Sequence, residues 1–123
     1  MAKLAPPRKP IEFCGNALDD LRAFPEDVRR EAGFQLDQVQ LGREPDDWKP
    51  MRSVGPGVRE IRVRDESGAF RVMYVTKFEE AIFVLHCFQK KTQRTSRADL
   101  AVGEDRYKAL VRALKRQRKE REQ

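Results

Sequence analysis

Apolar residues recur every three or four positions between residues 16 and 42, which is the spacing of amphipathic helices. Asn16 can cap a first helix, Pro25 suits the first turn of a second, and Gly42 can end it. Because the two helices would meet directly at Pro25, the pattern predicts an αα-hairpin. The apolar positions of the hairpin are Leu18, Leu21, Phe24, Val28, Ala32, Leu36 and Val39.

The middle of the chain changes to the pattern of β-strands. Apolar and charged residues alternate over residues 58–64, and residues 70–77 and 81–88 are also strand-like. Residues 81–88 are apolar on both faces, which favours an internal strand. Turn residues around Ser67 and Glu79 join the three segments into an antiparallel meander. The side chains expected to be buried are Ile61, Val63, Val72, Val84 and Leu85.

The flanking segments complete the predicted order of elements. A short apolar run at 11–14 predicts a first strand, and the Pro- and Gly-rich residues 43–57 predict a loop that Trp48 and Met51 pin to the core. A helix is expected near 104–118, since apolar residues return there at helical spacing. Its apolar residues are Tyr107, Leu110, Val111 and Leu114.

These elements predict one α+β domain over residues 10–123, with the αα-hairpin packed on a small, curved, mainly antiparallel sheet and a C-terminal helix. A chain of 123 residues is the usual size of one domain. Residues 1–9 are expected to form a disordered arm without an apolar signal core. Residues 115–123 are almost entirely charged and are expected to fray.

The net charge of +6 is unevenly distributed along the chain. Residues 12–47 carry ten acids and four bases, whereas residues 48–123 carry nineteen bases and ten acids. Such asymmetry favours a polyanionic partner on one face, although a solvated basic surface would have the same composition.

Several kinds of site are not indicated. Cys14 and Cys87 stand in apolar runs without metal-ligand spacing, and His86 is the only histidine, so no metal site is expected. No glycine-rich phosphate loop follows a strand, so no cofactor is expected. No apolar run approaches the ~20 residues of a membrane span, and the two thiols suit a reducing compartment, so a cytoplasmic protein is expected.

The candidate chemistry lies on the predicted sheet. Glu60, Arg62 and Arg64 share one face of a strand because strand side chains alternate. Arg71 stands among apolar residues on the next strand, where it needs a salt bridge to Glu60, a solvated edge position or a bound phosphate. Lys90 directly follows the last strand, where it could serve either function or solubility.

Three segments together resemble the RelE/ParE toxin superfamily, and more narrowly its phage-derived, HigB-like branch. They are a strand with Glu60-Ile61-Arg62, a strand with Phe70-Arg71-Val72-Met73-Tyr74, and the run Leu85-His86-Cys87-Phe88-Gln89-Lys90-Lys91-Thr92. The resemblance covers residues 10–114 and includes the upstream αα-hairpin.

The resemblance implies a toxin of a type II toxin–antitoxin system that cleaves translated mRNA at the ribosome without a metal. Its implied partners are mRNA, the ribosome and a cognate antitoxin, often a helix-turn-helix protein encoded nearby. Arg71 matches the arginine that contacts the scissile phosphate, Arg62 a cleft-facing position, and Lys90 with Lys91 a basic pair. Further residues expected to bind RNA are Arg59, Arg64, Arg94, Arg97 and Phe88.

This sequence departs from the RelE branch at two positions that matter for proton transfer. The RelE branch has a tyrosine shortly after the last strand, and this sequence has none there. Glu60 stands where that branch has a lysine. Glu60 or a lysine of lowered pKa could be the base for the 2′-hydroxyl, and Lys90 or Lys91 the acid. His86 could take either role, or be a packed core residue.

Two other functions are compatible with the same resemblance. One is a ParE-type toxin that poisons gyrase and has no nuclease activity, although Lys90 and Lys91 count against it. The other is a phage-derived interaction module that is not an enzyme.

Overall fold

The structure, a computed structural model, describes residues 7–122. Five strands and three helices form an α+β fold, as predicted. In chain order they are β1 (Ile11–Phe13), α1 (Ala17–Arg22), α2 (Glu26–Gln40), β2 (Trp48–Pro50), β3 (Val58–Asp65), β4 (Gly68–Val75), β5 (Ile82–Lys90) and α3 (Arg97–Glu122).

The strands form one mixed sheet in the order β1-β5-β4-β3-β2. β1 is parallel to β5, and all the other pairs are antiparallel, which confirms a mainly antiparallel sheet. β5 is an internal strand between β1 and β4, as its apolar character predicted. The β3–β4 turn is held by Asp65, whose Oδ1 accepts a hydrogen bond from the Ser67 backbone N–H at 2.8 Å.

The sheet separates two apolar cores. On one face the αα-hairpin contributes Val28, Leu36 and Val39 to a cluster that contains Ile61 and Val72. On the other face, residues of α3 pack against Met73, Val75 and Leu85. The five side chains that were expected to be buried are buried. The αα-hairpin therefore packs on one face of the sheet and α3 packs on part of the other. The rest of the α3 face is not covered by a helix of the described residues.

A β-bulge in β5 changes which side chains reach the α3 face. The register passes from Met73 opposite His86 to Tyr74 opposite Val84, so Leu85 is an extra residue. Phe83 and Leu85 belong to the α3-side core before the bulge, and Phe88 belongs to it afterwards. After the bulge, the side chains of His86, Phe88 and Lys90 therefore point to the α3 face, where the charged residues lie.

The segment 43–57 was predicted as a loop, and this prediction was incomplete. Trp48–Pro50 forms an edge strand, β2, antiparallel to β3. A three-residue strand that contains proline shows no alternation, and proline is tolerated there because an edge strand needs fewer hydrogen bonds. Met51 is buried directly after it, as expected.

The helix ends differ from prediction in detail. Gly42 ends α2 with φ 82°, as expected, but Asn16 makes no capping hydrogen bond through its side chain. α3 begins earlier than predicted because the Ser96 hydroxyl accepts a hydrogen bond from the Asp99 backbone N–H at 3.1 Å. It also continues to Glu122, so residues 115–122 are helical where fraying was expected.

The N-terminal arm was expected to be disordered over residues 1–9, of which 1–6 lie outside the described residues. Lys9 is attached to the end of α2: its N–H donates to the Gln40 carbonyl at 3.0 Å, and the Gln40 amide donates back at 3.0 Å. The end of the arm is therefore bonded to α2.

The contact between α3 and the sheet provides a test of the packing. A Cβ at Gly103 would lie 2.8 Å from Met73 Sδ and 3.1 Å from Val54 Cγ1. Gly103→Val should therefore overpack this contact and lower the free energy of unfolding by about 1–3 kcal/mol in urea titration. Gly33→Val is the matched helical control, since nothing lies within 4 Å of its Cβ position. Equal stabilities of the two variants would contradict this packing.

Candidate functional site

The strand register gathers charged side chains on the α3 face of the sheet. Residues directly opposite one another on neighbouring strands point to the same face, so the pairing sets side chains in rows. The first row holds Lys49, Glu60, Met73 and His86; the second holds Arg62, Arg71 and Phe88; the third holds Arg64, Ala69 and Lys90. Residues distant in sequence thus form one cationic cluster around a single strand carboxylate, Glu60.

Arg71 and Glu60 form a buried ion pair at the centre of these rows. Arg71 is 1% exposed and Glu60 is 0% exposed, and the distance from Arg71 Nε to Glu60 Oε1 is 3.3 Å. Glu60 Oε2 also accepts a hydrogen bond from the Thr95 hydroxyl at 3.3 Å. The salt bridge that the sequence left as one of three alternatives is therefore present.

The ion pair leaves part of the Arg71 guanidinium without a partner. Nη1 donates to the Phe70 carbonyl at 2.9 Å, whereas Nε and Nη2 make no hydrogen bond within residues 7–122. Burial lowers the pKa of Arg71, and the Glu60 carboxylate opposes that shift. Because Nε faces Glu60 Oε1, the donor hydrogens that remain for a phosphate are those of Nη2 and the second hydrogen of Nη1.

Arg71 also lines a polar pocket of about 270 Å³ at the surface of the sheet. The residues that line the pocket are Asp47, Arg62, Arg64 and Arg71. The Asp47 carbonyl accepts a hydrogen bond from the Arg62 backbone N–H at 2.9 Å, which fixes the end of β2 beside the pocket. The three arginine side chains can bind an anion, and the exposed Asp47 carboxylate can accept a hydrogen bond from a hydroxyl group beside that anion.

Lys90 lies beside the same cluster, at the end of β5. Its pKa is lowered mainly by burial, and then by repulsion from Arg71, Lys49 and Arg62. A lysine ammonium with a lowered pKa gives up its proton more readily than an ordinary one. Lys90 is therefore a candidate proton donor beside the cluster.

His86 is held as a structural link between β5 and α3. Its Nε2 lies 2.7 Å from Asp99 Oδ1, and the ring stacks on Phe88 with centroids 4.7 Å apart. The other Asp99 oxygen accepts a hydrogen bond from the Ser96 hydroxyl at 2.8 Å. Since His86 is only 8% exposed, the structure favours the packed-residue interpretation over a proton-transfer role.

Several predicted site residues are not brought into the cluster. Arg59 points to the opposite face of β3, where its guanidinium lies 4.1 Å from the Trp48 ring centroid and 3.7 Å from Glu44. Lys91 and Arg94 are exposed on the segment after β5, Arg97 is exposed at the start of α3, and none of the three lines the pocket. Lys90 is the last residue of its strand and does not follow it. Phe88 is buried beneath the cluster.

Sequence reasoning missed Lys49 and Asp47 because it did not predict β2. Lys49 is directly opposite Glu60, which places it in the first row. The available signal was the pair of expected anchors Trp48 and Met51, since a residue between two anchored side chains is also held in place.

Comparison with known proteins identifies the fold first. A solved structure of a mutant E. coli toxin RelE in the free state matches with a TM-score of 0.58 and 17% identity, and the match covers 76% of this chain and 95% of that chain. The chain thus has the RelE fold, which confirms the predicted fold. Residues 19–108 match the family described as "Phage derived protein Gp49-like (DUF891)", and the chain belongs to that family.

No curated protein is similar to the chain in sequence. Within residues 7–122, no helix has the length and apolarity that crossing a membrane requires.

The lowered pKa of Lys90 predicts a specific dependence of stability on pH. The folded state holds this proton less tightly than the unfolded state, so the Lys90 contribution to stability improves as pH rises toward the ordinary pKa of 10.5. Lys90→Gln should therefore raise the melting temperature at pH 7, and the gain should shrink as the pH rises. Lys91→Gln, at an exposed position outside the pocket, is the matched control. A fall in melting temperature for Lys90→Gln at pH 7 would contradict the electrostatic account.

Proposed function

We propose that this protein is the toxin of a type II toxin–antitoxin system and a metal-independent endoribonuclease that cleaves translated mRNA at the ribosome. The observation that carries the proposal is the buried Arg71, whose Nη2 has no hydrogen-bond partner in the described chain and which lines a cationic pocket. Glu60 neutralises the charge of Arg71, but a buried donor without an acceptor is still costly, and a bound phosphate oxygen would supply that acceptor. The RelE fold and the Gp49-like family support the toxin assignment.

The proposed reaction uses the RNA's own 2′-hydroxyl as the nucleophile. Its oxygen attacks the adjacent phosphorus, the bond from phosphorus to the 5′-oxygen breaks, and a 2′,3′-cyclic phosphate remains. Arg71 holds two non-bridging oxygens and stabilises the extra charge of the phosphorane. Arg62 and Arg64 line the same pocket and hold the flanking phosphates.

Two protons move in this reaction, and we assign them to Asp47 in the pocket and to Lys90 beside the cluster. Asp47 is the exposed carboxylate of the pocket and accepts the proton of the 2′-hydroxyl. Lys90, with its lowered pKa, donates a proton to the departing 5′-oxygen. Glu60 is fully buried against Arg71, so we assign it the role of orienting the guanidinium.

The proposed partner is a cognate antitoxin, a helix-turn-helix protein encoded nearby, with an acidic surface that covers the pocket. The basic excess of residues 48–123 motivates the acidic surface. Toxin and antitoxin would act in the cytoplasm, where the ribosome and mRNA are. Their association should weaken as salt rises, because surface charges are screened.

The decisive variant keeps a cation beside Glu60 but removes the fork of the guanidinium. Arg71→Ala is less suitable, since an unpaired buried carboxylate costs about 3–5 kcal/mol of stability. Arg71→Lys should remain folded and reduce mRNA cleavage on the order of 10²–10³-fold, because a point charge cannot bind two oxygens at once. Cleavage is measured by mapping mRNA 5′ ends after induced expression.

Arg59→Lys is the matched control, because Arg59 lies on β3 but points to the opposite face. It should cleave mRNA as the unaltered protein does. Full cleavage by a folded Arg71→Lys protein would remove Arg71 from the reaction. Growth arrest with gyrase–DNA adducts and intact mRNA would replace the nuclease with the gyrase-poisoning alternative.

A further inference from the structure

The C-terminal half of α3 carries a row of exposed cations that the pocket does not use. We call Lys108, Arg112, Lys115, Arg116 and Lys119 the α3 ridge; all five are exposed. Their spacing sets them on one side of the helix, opposite the buried Tyr107, Leu110 and Leu114. The ridge is about 16 Å long, since a helix rises ~1.5 Å per residue.

No carboxylate interrupts this part of the helix. Between Asp105 and Glu120 the chain has seven cations and no acid. Two of the seven are engaged with the rest of the fold: Arg106 donates to the Leu85 carbonyl at 2.9 Å, and Arg118 Nε lies 3.1 Å from a Glu80 oxygen. The five ridge residues form no salt bridge within residues 7–122.

The ridge therefore costs stability without a compensating contact in the described fold. Lys108 and Arg112, Arg112 and Arg116, and Lys115 and Lys119 stand four residues apart, where like charges repel by about 0.2–0.5 kcal/mol per pair. An external polyanion would relieve that repulsion. Such an anion is the partner that the ridge lacks.

The ridge also lies apart from the pocket and largely beyond the shared family fold. The family match ends at residue 108, where the ridge begins. Asp99, which touches His86 in the first row, precedes Lys108 by about 14 Å along the axis and Lys119 by about 30 Å. A segment of a polyanion bound on the ridge would therefore be a different segment from one bound at Arg71.

The chemistry of the ridge favours a phosphate backbone over an acidic protein. Protein interfaces need apolar or aromatic anchors at their centre. The ridge has none, and the exposed large apolar side chain of the described chain is Phe34, on α2. Phosphate backbones require only a series of cations, and they release counterions when cations bind.

We propose that the α3 ridge is a second RNA-binding surface, which takes the sugar–phosphate backbone of folded RNA independently of the pocket at Arg71. The inference goes beyond the nuclease function and does not depend on it. It assigns a binding role to the exposed face of α3 opposite the buried Tyr107, Leu110 and Leu114.

The test measures binding of a fluorescein-labelled RNA hairpin with a 20-base-pair stem to the full chain carrying Arg71→Lys, so that cleavage does not enter. The ridge variant replaces all five ridge cations with glutamine, which keeps helix propensity. Its affinity at about 100 mM salt should fall at least about tenfold, and the slope of log K against log salt should shrink by about 0.9 per lost phosphate contact.

A charge-matched control replaces five exposed arginines outside α3 with glutamine and so lowers the net charge equally. These are Arg22, Arg29, Arg30, Arg43 and Arg52. The control should lose less than about threefold, because long-range charge alone is screened at this salt concentration. A charge-preserving variant, Arg112→Lys with Arg116→Lys, should bind as the parent chain does.

Three results would overturn the proposal. Equal losses in the ridge and control variants would mean that net charge alone sets the affinity. Unchanged hairpin binding by the ridge variant would exclude the ridge from the footprint. Competition by polyglutamate as effective as that of RNA at equal charge would assign the ridge to an acidic protein. Circular dichroism checks the helix, and Arg112→Gln with Arg116→Gln should show an intermediate loss if the full variant unfolds.

Discussion

The ion pair between Arg71 and Glu60 is the constraint around which the α3 face of the sheet is arranged. Two charges buried at 1% and 0% exposure lose their hydration, and each is tolerated only while the other stays in place. The second carboxylate oxygen of Glu60 accepts a hydrogen bond from the Thr95 hydroxyl, so the segment that leads into α3 is held near the sheet. The pair therefore links the interior of the sheet to the start of the helix that bounds the site.

The position of α3 decides which part of this face stays open. Gly103 allows the helix backbone to approach Met73 closely, and the apolar core continues from there along the helix. The rows containing Arg62 and Arg64 lie beyond Met73 toward the β3–β4 turn, where they line a pocket. His86 and Asp99 secure the boundary between the two regions. A packed half and a polar half thus share one sheet face.

Both cationic regions are poorly compensated within the fold, and this is the physical basis for assigning them to nucleic acid. Beside the pocket, burial lowers the pKa of Lys90, and repulsion from Arg71, Lys49 and Arg62 lowers it further. On α3, like charges repeat along a helix face without acids between them. Clusters of this kind cost stability in the free protein, and natural proteins commonly accept that cost where binding or catalysis requires it. The acidic αα-hairpin lies across the sheet, so the charge separates by face.

The sequence by itself determined the local elements, and it showed that one arginine, Arg71, stands among apolar residues of a strand. The hairpin helices, the meander of β3, β4 and β5, and the buried apolar residues follow from periodicity, because each depends on neighbours a few positions away. β2, the bulge at Leu85, the opposite orientation of Arg59 and the position of Lys49 beside Glu60 were decided only by the tertiary structure. They depend on strand register, which long-range pairing sets and which no local pattern of so short a strand could specify. For the same reason the sequence left the partner of Arg71 open, and the fold supplied Glu60 at Nε while leaving Nη2 without a hydrogen-bond partner.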